Sequence, residues 1–387
     1  MAAVRPWSSV FISGSSIGGS VLGIGMRWRE TIVEMAERST NPSYEKGVLE
    51  RCVIPIQSIR LLKEVGVNEE RLRKVLRPTG AWRYVDLKGD VTSEGRWYSG
   101  CPEGEESFHI SHGDLKAFLR REFCRFGGSF LWDSTVERMY LSGEGHRTWS
   151  VDKTYGPFKD GAMVVGADGV NSVARRSMMQ SLKPWLMRPV FTYRTGAGIQ
   201  EDLSKRLLEP GVDYVVALSK GLVLHIWKPQ GDSNKKLAWC CVTPGHSTPN
   251  YEGMHAMFRT LIASSESISN QSYDAPLVPS PAMTCPETSR WEMSVIGSAF
   301  GVPVDRFQLR GDRAVVEIEE AASLVKALYT QGFRRSYIPT ELRKYEGVAL
   351  SRRIDLMERD LGDMTVLLEN REHVGDGSPM TSEAKTV

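Results

Sequence analysis

A glycine-rich turn near the start of the chain restricts the possible folds more than any other feature. The strand-like segment Ser9 to Ile12 leads into Gly14-Ser-Ser-Ile-Gly-Gly19, which is followed by an apolar stretch and a second strand-like segment ending at Glu37. Strand, turn, helix and strand in this order form a βαβ unit, which is typical of proteins with a parallel sheet. The sequence therefore predicts an α/β fold.

The same turn has the spacing of a dinucleotide-binding loop. In the GxGxxG pattern, glycines let the backbone approach a pyrophosphate, and the following helix offers free N–H groups. Here Gly14 and Gly19 keep two of the glycines, and Ser16 replaces the middle one. Glu37 stands where an acidic residue would accept the ribose hydroxyls. An ordinary tight turn is the alternative, but the combination with Glu37 favours a dinucleotide site.

The rest of the sequence predicts a second sheet and helices near the C-terminal end. Residues 189–243 contain β-rich runs separated by turn residues, which favours a mostly antiparallel sheet and a substrate floor. Helical periodicity returns over 313–329 and 341–369. We predict the following division: residues 1–80, 110–180 and 290–330 form a discontinuous dinucleotide-binding-type domain, 81–109 and 181–289 a substrate-binding sheet domain, 331–372 C-terminal helices, and 373–387 a disordered tail.

Composition excludes several classes of partner. The chain has 49 Lys and Arg against 47 Asp and Glu, a balance without the basic surface that nucleic-acid binding needs. The six cysteines form no CxxC pair and no zinc-ligand spacing, so we expect no metal site and a reducing compartment. No apolar run reaches the roughly 20 residues of a membrane span, and no signal peptide is recognisable. We therefore expect a cytoplasmic protein without a membrane segment.

A second motif indicates a family. The segment Gly166-Ala-Asp-Gly-Val-Asn-Ser-Val-Ala-Arg175 resembles the Asp-Gly motif of class A FAD-dependent monooxygenases, in which Asp168 and Gly169 would lie near the cofactor. Glu37-Arg38 resembles the Glu-Arg pair of that family, and Tyr345-Glu346 with Arg352-Arg353 resembles its C-terminal helix. The resemblance, strongest to the dihydroxypyridine-hydroxylase-like branch, implies the p-hydroxybenzoate hydroxylase fold. In it a Rossmann-like FAD/NAD(P)-binding domain is interleaved with an antiparallel-sheet substrate domain and followed by C-terminal helices.

The flavin-ring motif departs from the family pattern. Where the family has a Gly-Asp-Ala-Ala segment whose Asp holds the ribityl chain, this sequence has Ser298. Arg313 stands where the family has the second glycine of a Gly-x-Gly against the flavin ring. A side chain at a position that needs glycine would crowd the ring. The departure predicts a remodelled flavin pocket, so the cofactor residues, Ser298 included, would be vestigial.

These observations leave competing functions. One is an FAD- and NAD(P)H-dependent monooxygenase that hydroxylates or epoxidises a small organic substrate. The other, which the eroded flavin contacts favour, is a tailoring enzyme of secondary metabolism. It would use its apolar cavity without any cofactor for a cyclisation of the Diels–Alder type, through proximity and orientation. A non-catalytic binding protein would also tolerate a lost flavin site, but no residue supports it.

Two polar residues are candidates for the chemistry. His225 and Arg313 could donate a hydrogen bond to a substrate carbonyl. A histidine satisfied by a neighbouring strand and a solvated loop arginine are the competing interpretations. The partner would be a hydrophobic small molecule, and the oligomeric state stays open. The candidate substrate pocket consists of apolar and aromatic residues, which in a sheet also serve plain packing: Tyr193, Val223, Trp227, Phe300 and Phe307.

Overall fold

The computed structural model describes residues 9–39, 51–86, 88–96, 106–141, 147–151, 158–159, 163–169, 172–178, 187–208, 210–219, 221–229, 236–245, 251–265, 268–276, 293–300, 312–330 and 337–369. Strands and helices are numbered in chain order within these residues. The helices are α1 (Ile17–Trp28), α2 (Ile56–Glu64), α3 (Glu69–Arg73), α4 (His112–Arg125), α5 (Val173–Met178), α6 (Glu201–Leu207), α7 (Ala256–Ala263), α8 (Asp312–Thr330) and α9 (Ile338–Glu369). A short 3-10 helix covers Gly297–Phe300.

A five-stranded parallel sheet forms the first layer. Its order is β18 (Met293–Val295), β12 (Met163–Gly166), β1 (Ser9–Ser13), β2 (Ile32–Glu37) and β8 (Ser129–Trp132). Its central strands are short, apolar and buried, as strands covered on both faces are. Helix α1 packs against α4 and α8. The predicted βαβ opening and the α/β class are confirmed.

A seven-stranded sheet forms the second layer. Its order is β17 (Ile268–Pro276), β13 (Met187–Ile199), β16 (Lys236–Pro244), β15 (Leu222–Trp227), β14 (Val212–Ser219), β5 (Ala81–Val85) and β6 (Val91–Arg96). All neighbours are antiparallel except β14 with β5. One face, with Leu224 and Trp239, packs under α6 and α7. The other face, with Val223 and Trp227, joins the core of the parallel sheet. We call this second face the inner face.

Two smaller sheets contain the remaining described strands. One contains β3 (Arg51–Pro55), β7 (Ser107–Ser111) and β4 (Arg77–Pro78), and the other contains β11 (Phe158–Lys159), β10 (Arg147–Val151) and β9 (Val136–Leu141). Apolar residues recur at mostly helical spacing from Ile54 to Val65, but Ile54 itself lies in β3. Pro55, with φ −70°, disfavours helical backbone at Ile54, so α2 starts only at Ile56. The proposed domain boundaries stay a prediction.

A buried ion pair connects the helices α8 and α9. Arg353 of α9 donates to both carboxylate oxygens of Glu320 on α8, at 2.5 and 3.0 Å. The same carboxylate accepts the backbone N–H of Gly297 at 2.9 Å, which ties the 3-10 helix to α8. Within the described residues, no helix combines the length and apolarity that a membrane crossing requires. The predicted tail 373–387 lies outside the described residues.

Candidate functional site

The turn between β1 and α1 brings three backbones together at the carboxyl edge of the parallel sheet. Gly14 has φ +95°, and a Cβ there would lie 2.5 Å from the carbonyl oxygen of Ala167. A Cβ on Gly19 would lie 2.6 Å from the carbonyl oxygen of Gly14. Close packing of α1 on β1 and β12 therefore requires both glycines. The hydroxyl of Ser16 accepts the N–H of Gly19 at 3.1 Å, so the serine in the middle position caps the helix.

Glu37, at the end of β2, forms a buried cluster with Ser15 and Arg120. Its Oε2 accepts the backbone N–H of Ser15 at 3.1 Å, Nη2 of Arg120 at 2.9 Å and the Ser15 hydroxyl. Its Oε1 accepts the N–H of Ser39 at 3.0 Å. Burial raises the pKa of this carboxyl, but the hydrogen bonds from Ser15 and Ser39 and the Arg120 charge outweigh burial and lower the pKa to about 2. Glu37 is therefore ionised, and Oε1 keeps a lone pair for a hydroxyl.

Arg120 is a member of the site that the sequence analysis missed. It lies in α4 with 2% of its surface exposed, and its Nε donates to the Ser15 hydroxyl at 2.8 Å. Its guanidinium is 5.5 Å from the ring centre of Trp132. A charge this deeply buried requires an opposite partner, which Glu37 supplies. The only signal in the sequence is an arginine beside the buried Leu119, and arginines on helices are commonly solvated.

Asp168 follows β12 and faces the same edge. Its Oδ2 accepts the N–H of Val173 at 2.8 Å and the hydroxyl of Ser13 at 3.3 Å. Its Oδ1 is buried and has no hydrogen-bond partner among the residues that the structure describes. Such an acceptor is costly unless a ligand or water donates to it. Gly169 has φ +84°, and a Cβ there would meet open space, so its backbone conformation alone explains the glycine.

A further carboxylate, Glu317 of α8, contacts the start of α1. Glu317 is 1% exposed, its Oε2 accepts the backbone N–H of Gly18 at 3.0 Å, and its Oε1 lies 3.4 Å from Nε of Arg313. Burial raises the pKa of Glu317, but the charge of Arg313 and the Gly18 N–H outweigh burial and lower it. In dinucleotide folds this first helical turn offers its N–H groups to the phosphates. Here an internal carboxylate already holds one of them.

The inner face of the seven-stranded sheet carries a buried tyrosine and histidine. Nδ1 of His225 lies 3.0 Å from the hydroxyl of Tyr214, on the neighbouring strand β14. Nε2 of His225 is buried and has no hydrogen-bond partner within the described part of the chain. Burial lowers the pKa of His225 to about 3, so the ring is neutral at physiological pH. His225 can therefore donate or accept one hydrogen bond to a ligand through Nε2, but it carries no charge.

An ion-pair network lies beside this pair. Nη2 of Arg51, the first residue of β3, is 3.2 Å from Oδ2 of Asp213, and Nδ1 of His109 is 3.3 Å from the same oxygen. Burial raises the pKa of Asp213, but the hydrogen bond from His109 and the charge of Arg51 outweigh burial and lower it to about 2. The Arg51 guanidinium is 5.7 Å from the ring centre of Tyr214. Since 162 positions separate Arg51 from Asp213, no local motif signals the network.

The two candidate catalytic residues have different partners. Arg313 is held by Glu317 at the start of α8, whereas His225 is held by Tyr214 on the sheet. Tyr193, Val223 and Trp227 belong to the inner-face core, as buried side chains. Their roles as pocket residues stay predictions.

Of the remaining candidates, only Phe300 has a described side chain. Its ring centre is 6.2 Å from that of Tyr345 and 5.9 Å from the Arg353 guanidinium, so it packs against α9. The side chain of Ser298 and the whole of Phe307 lie outside the described residues.

Solved structures identify the fold. No protein-family model and no curated protein matches the sequence. Native FqzB superposes with a TM-score of 0.75 at 17% identity over 95% of this chain and 86% of FqzB. CtdE in complex with FAD and its substrate 4 gives 0.75 at 15% identity over 93% and 90%. A single-residue variant of Klebsiella pneumoniae HpxO complexed with FAD gives 0.72 at 14% identity over 95% and 92%. The chain has the flavin monooxygenase fold, as the resemblance implied.

These structures correct the expectation about the cofactor. The prediction that no cofactor takes part is contradicted, because proteins of this fold, CtdE and HpxO, were crystallised with FAD. The sheet edge of this chain fits the sugar hydroxyls of such a dinucleotide at two acceptors, Oε1 of Glu37 and Oδ1 of Asp168. At Gly18, the backbone N–H that a diphosphate would use already donates to the carboxylate of Glu317. The residues present thus fit FAD, with one unfavourable contact.

Proposed function

We propose that this chain is an FAD- and NAD(P)H-dependent monooxygenase that acts on a small organic substrate. The observation that carries the proposal is the buried Oδ1 of Asp168, an acceptor without a partner among the described residues, at the carboxyl edge of a dinucleotide-type sheet. Ligands of open α/β sheets bind at this edge. The FAD complexes of CtdE and HpxO, which share the fold, support the same assignment.

In this proposal the sheet edge binds the adenosine half of FAD. Oε1 of Glu37 accepts a ribose hydroxyl, and Arg120 keeps Glu37 ionised and in place. Oδ1 of Asp168 accepts a second hydroxyl. When bound, FAD supplies the redox chemistry with NAD(P)H and dioxygen, and the protein supplies position and a dry environment.

The inner face of the seven-stranded sheet binds the substrate in this proposal. Its buried apolar side chains, among them Val223 and Trp227, exclude water. Neutral His225 is held by Tyr214 at Nδ1, and its Nε2–H donates a hydrogen bond to a substrate oxygen. A preorganised hydrogen bond in a dry site contributes on the order of a few kcal/mol when charge develops on that oxygen.

The test combines cofactor binding with reductant consumption. The purified protein is titrated with FAD by fluorescence quenching, and oxidation of NADH and NADPH is followed with a panel of phenols and enolisable ketones. We expect FAD binding and substrate-dependent oxidation. Glu37→Gln should weaken FAD binding at least tenfold, whereas Glu34→Gln, on the same strand, should not. A protein that binds no FAD at any concentration tested would overturn the proposal.

A second candidate is ring closure of an apolar substrate of secondary metabolism on the same inner face. The neutral, buried His225 favours it, because such a residue can polarise a carbonyl during cyclisation. Mass spectrometry separates the candidates. A monooxygenase adds one oxygen atom and consumes NAD(P)H, whereas ring closure leaves the product mass unchanged.

A further inference from the structure

The contact between α1 and α8 fixes a carboxylate at the start of α1. A Cβ on Gly18 would lie 3.3 Å from the backbone oxygen of Glu317, and a Cβ on Gly25 would lie 2.7 Å from a methyl of Val325. The glycines of α1 therefore let α8 approach closely over two turns. This close packing holds the Glu317 side chain beside the Gly18 N–H, with 1% of its surface exposed.

The charges around Glu317 keep it ionised. Arg313 contacts it from the same helix, and Arg313, His112 at the start of α4 and Arg353 on α9 lower its pKa, whereas Glu320 adds a negative charge nearby. The balance lowers the pKa of Glu317, so the carboxylate carries its charge at neutral pH. An incoming diphosphate, itself negative, competes with it for the same backbone N–H and is repelled by it.

The sites on either side of this contact favour a dinucleotide. Oδ1 of Asp168 is buried without a partner in the described residues, and a Cβ on Gly14 would lie 2.8 Å from Cα of Asp168, so the two are adjacent. Glu37 keeps an acceptor for a ribose hydroxyl. Glu317 therefore opposes binding of a dinucleotide, whereas the nearby Asp168 and Glu37 favour it.

We propose that Glu317 is an internal competitor for the diphosphate of FAD, which keeps the affinity low enough for the cofactor to exchange with solution. This inference rests on the proposed function, because it assumes that FAD binds at the β1–α1 turn. Arg313, whose Nε lies 3.4 Å from Oε1 of Glu317, positions this carboxylate.

The experiment compares FAD dissociation constants. Wild type, Glu317→Gln, Glu317→Ala and the control Glu319→Gln are titrated with FAD by fluorescence quenching, after thermal denaturation has shown that each is folded. Glu319 lies two positions away and pairs with Arg352, so it shares the helix but not the contact with Gly18. Gln keeps an oxygen for the Gly18 N–H and removes only the charge, and Ala removes both.

We expect both Glu317 variants to bind FAD at least tenfold more tightly than wild type, and Glu319→Gln to match wild type. Equal dissociation constants in all four proteins would overturn the role of Glu317 and leave the proposed function standing. A tightening in Glu319→Gln as large as in Glu317→Gln would also overturn it, because the effect would then be a general loss of negative charge. Failure of all four proteins to bind FAD would overturn the proposed function itself.

Discussion

The edge of the parallel sheet and the inner face of the seven-stranded sheet use buried polar groups in opposite ways. At the edge, Glu37 and Arg120 are both ionised and paired. On the inner face, Tyr214 and His225 form a neutral pair. Breaking a pair at the edge leaves a buried charge, whereas breaking the neutral pair leaves only a dipole. We therefore expect substitutions at the edge to cost more stability than substitutions on the inner face.

The largest effect is expected from Arg120→Met. Methionine keeps much of the volume but leaves Glu37 buried without its cation. Removing one member of a buried ion pair costs about 3–5 kcal/mol. The free energy of unfolding, measured by urea denaturation, should fall by about that amount.

The matched control is Arg121→Met, the next residue on α4, whose side chain is exposed. Surface substitutions usually change stability by less than about 0.5 kcal/mol. If Arg120→Met lost no more stability than this control, the edge cluster would not be a stabilising ion pair, and the comparison would fail.

A slightly smaller effect is expected from acid. The folded-state pKa of Glu37 is lowered from 4.5 to about 2. A lowered carboxyl pKa contributes stability that is present above pH 4.5 and is lost as the pH falls toward 2. At 1.36 kcal/mol per pH unit, this contribution is about 3 kcal/mol at neutral pH.

The variant Glu37→Gln isolates the contribution of this one carboxyl. The difference in unfolding free energy between wild type and Glu37→Gln should be largest near pH 7 and shrink between pH 4.5 and 2. A difference that stays constant over this range would assign the loss to packing rather than to charge.

The sequence predicted the edge better than the inner face, for a physical reason. Gly14, Gly19, Glu37 and Asp168 lie in turns whose backbone geometry demands particular residues, so they form short, local patterns. The α/β class, the parallel sheet and the strands β14 to β16 followed from local periodicity, and the structure confirms them.

Contacts between distant segments could not be predicted in this way. Arg120 and Glu37 are 83 positions apart, and Glu317 and Gly18 are 299 apart. Arg120, Glu37 and Glu317 each look, taken alone, like a solvated charge on a helix or at a strand end. The prediction that the protein uses no cofactor failed because it was based on Ser298 and Arg313 alone, whereas FAD-containing proteins share the whole fold.

On the inner face, His225→Ala should change turnover more than stability. Substrate-dependent NAD(P)H oxidation should fall at least tenfold, a factor that corresponds to about 1.4 kcal/mol. The control is Cys240→Ala, which truncates the cross-strand neighbour of His225 on the adjacent strand β16. Equal rates in wild type and His225→Ala would place the reacting groups elsewhere. Loss of rate in both variants would indicate a packing effect of the whole face.

The smallest effect is expected from Tyr214→Phe, which removes the hydroxyl 3.0 Å from Nδ1 of His225 and keeps the ring. The net contribution of a neutral hydrogen bond is about 1 kcal/mol, so the free energy of unfolding should fall by that amount, well below the loss in Arg120→Met. A double-mutant cycle with His225→Ala assigns the loss to this bond. If the hydroxyl acts only through His225, the double variant should lose about 1 kcal/mol less than the sum of the single variants. Strict additivity would show that the hydroxyl and the ring stabilise the inner face independently, and neutral pairing would no longer distinguish this face from the charged edge.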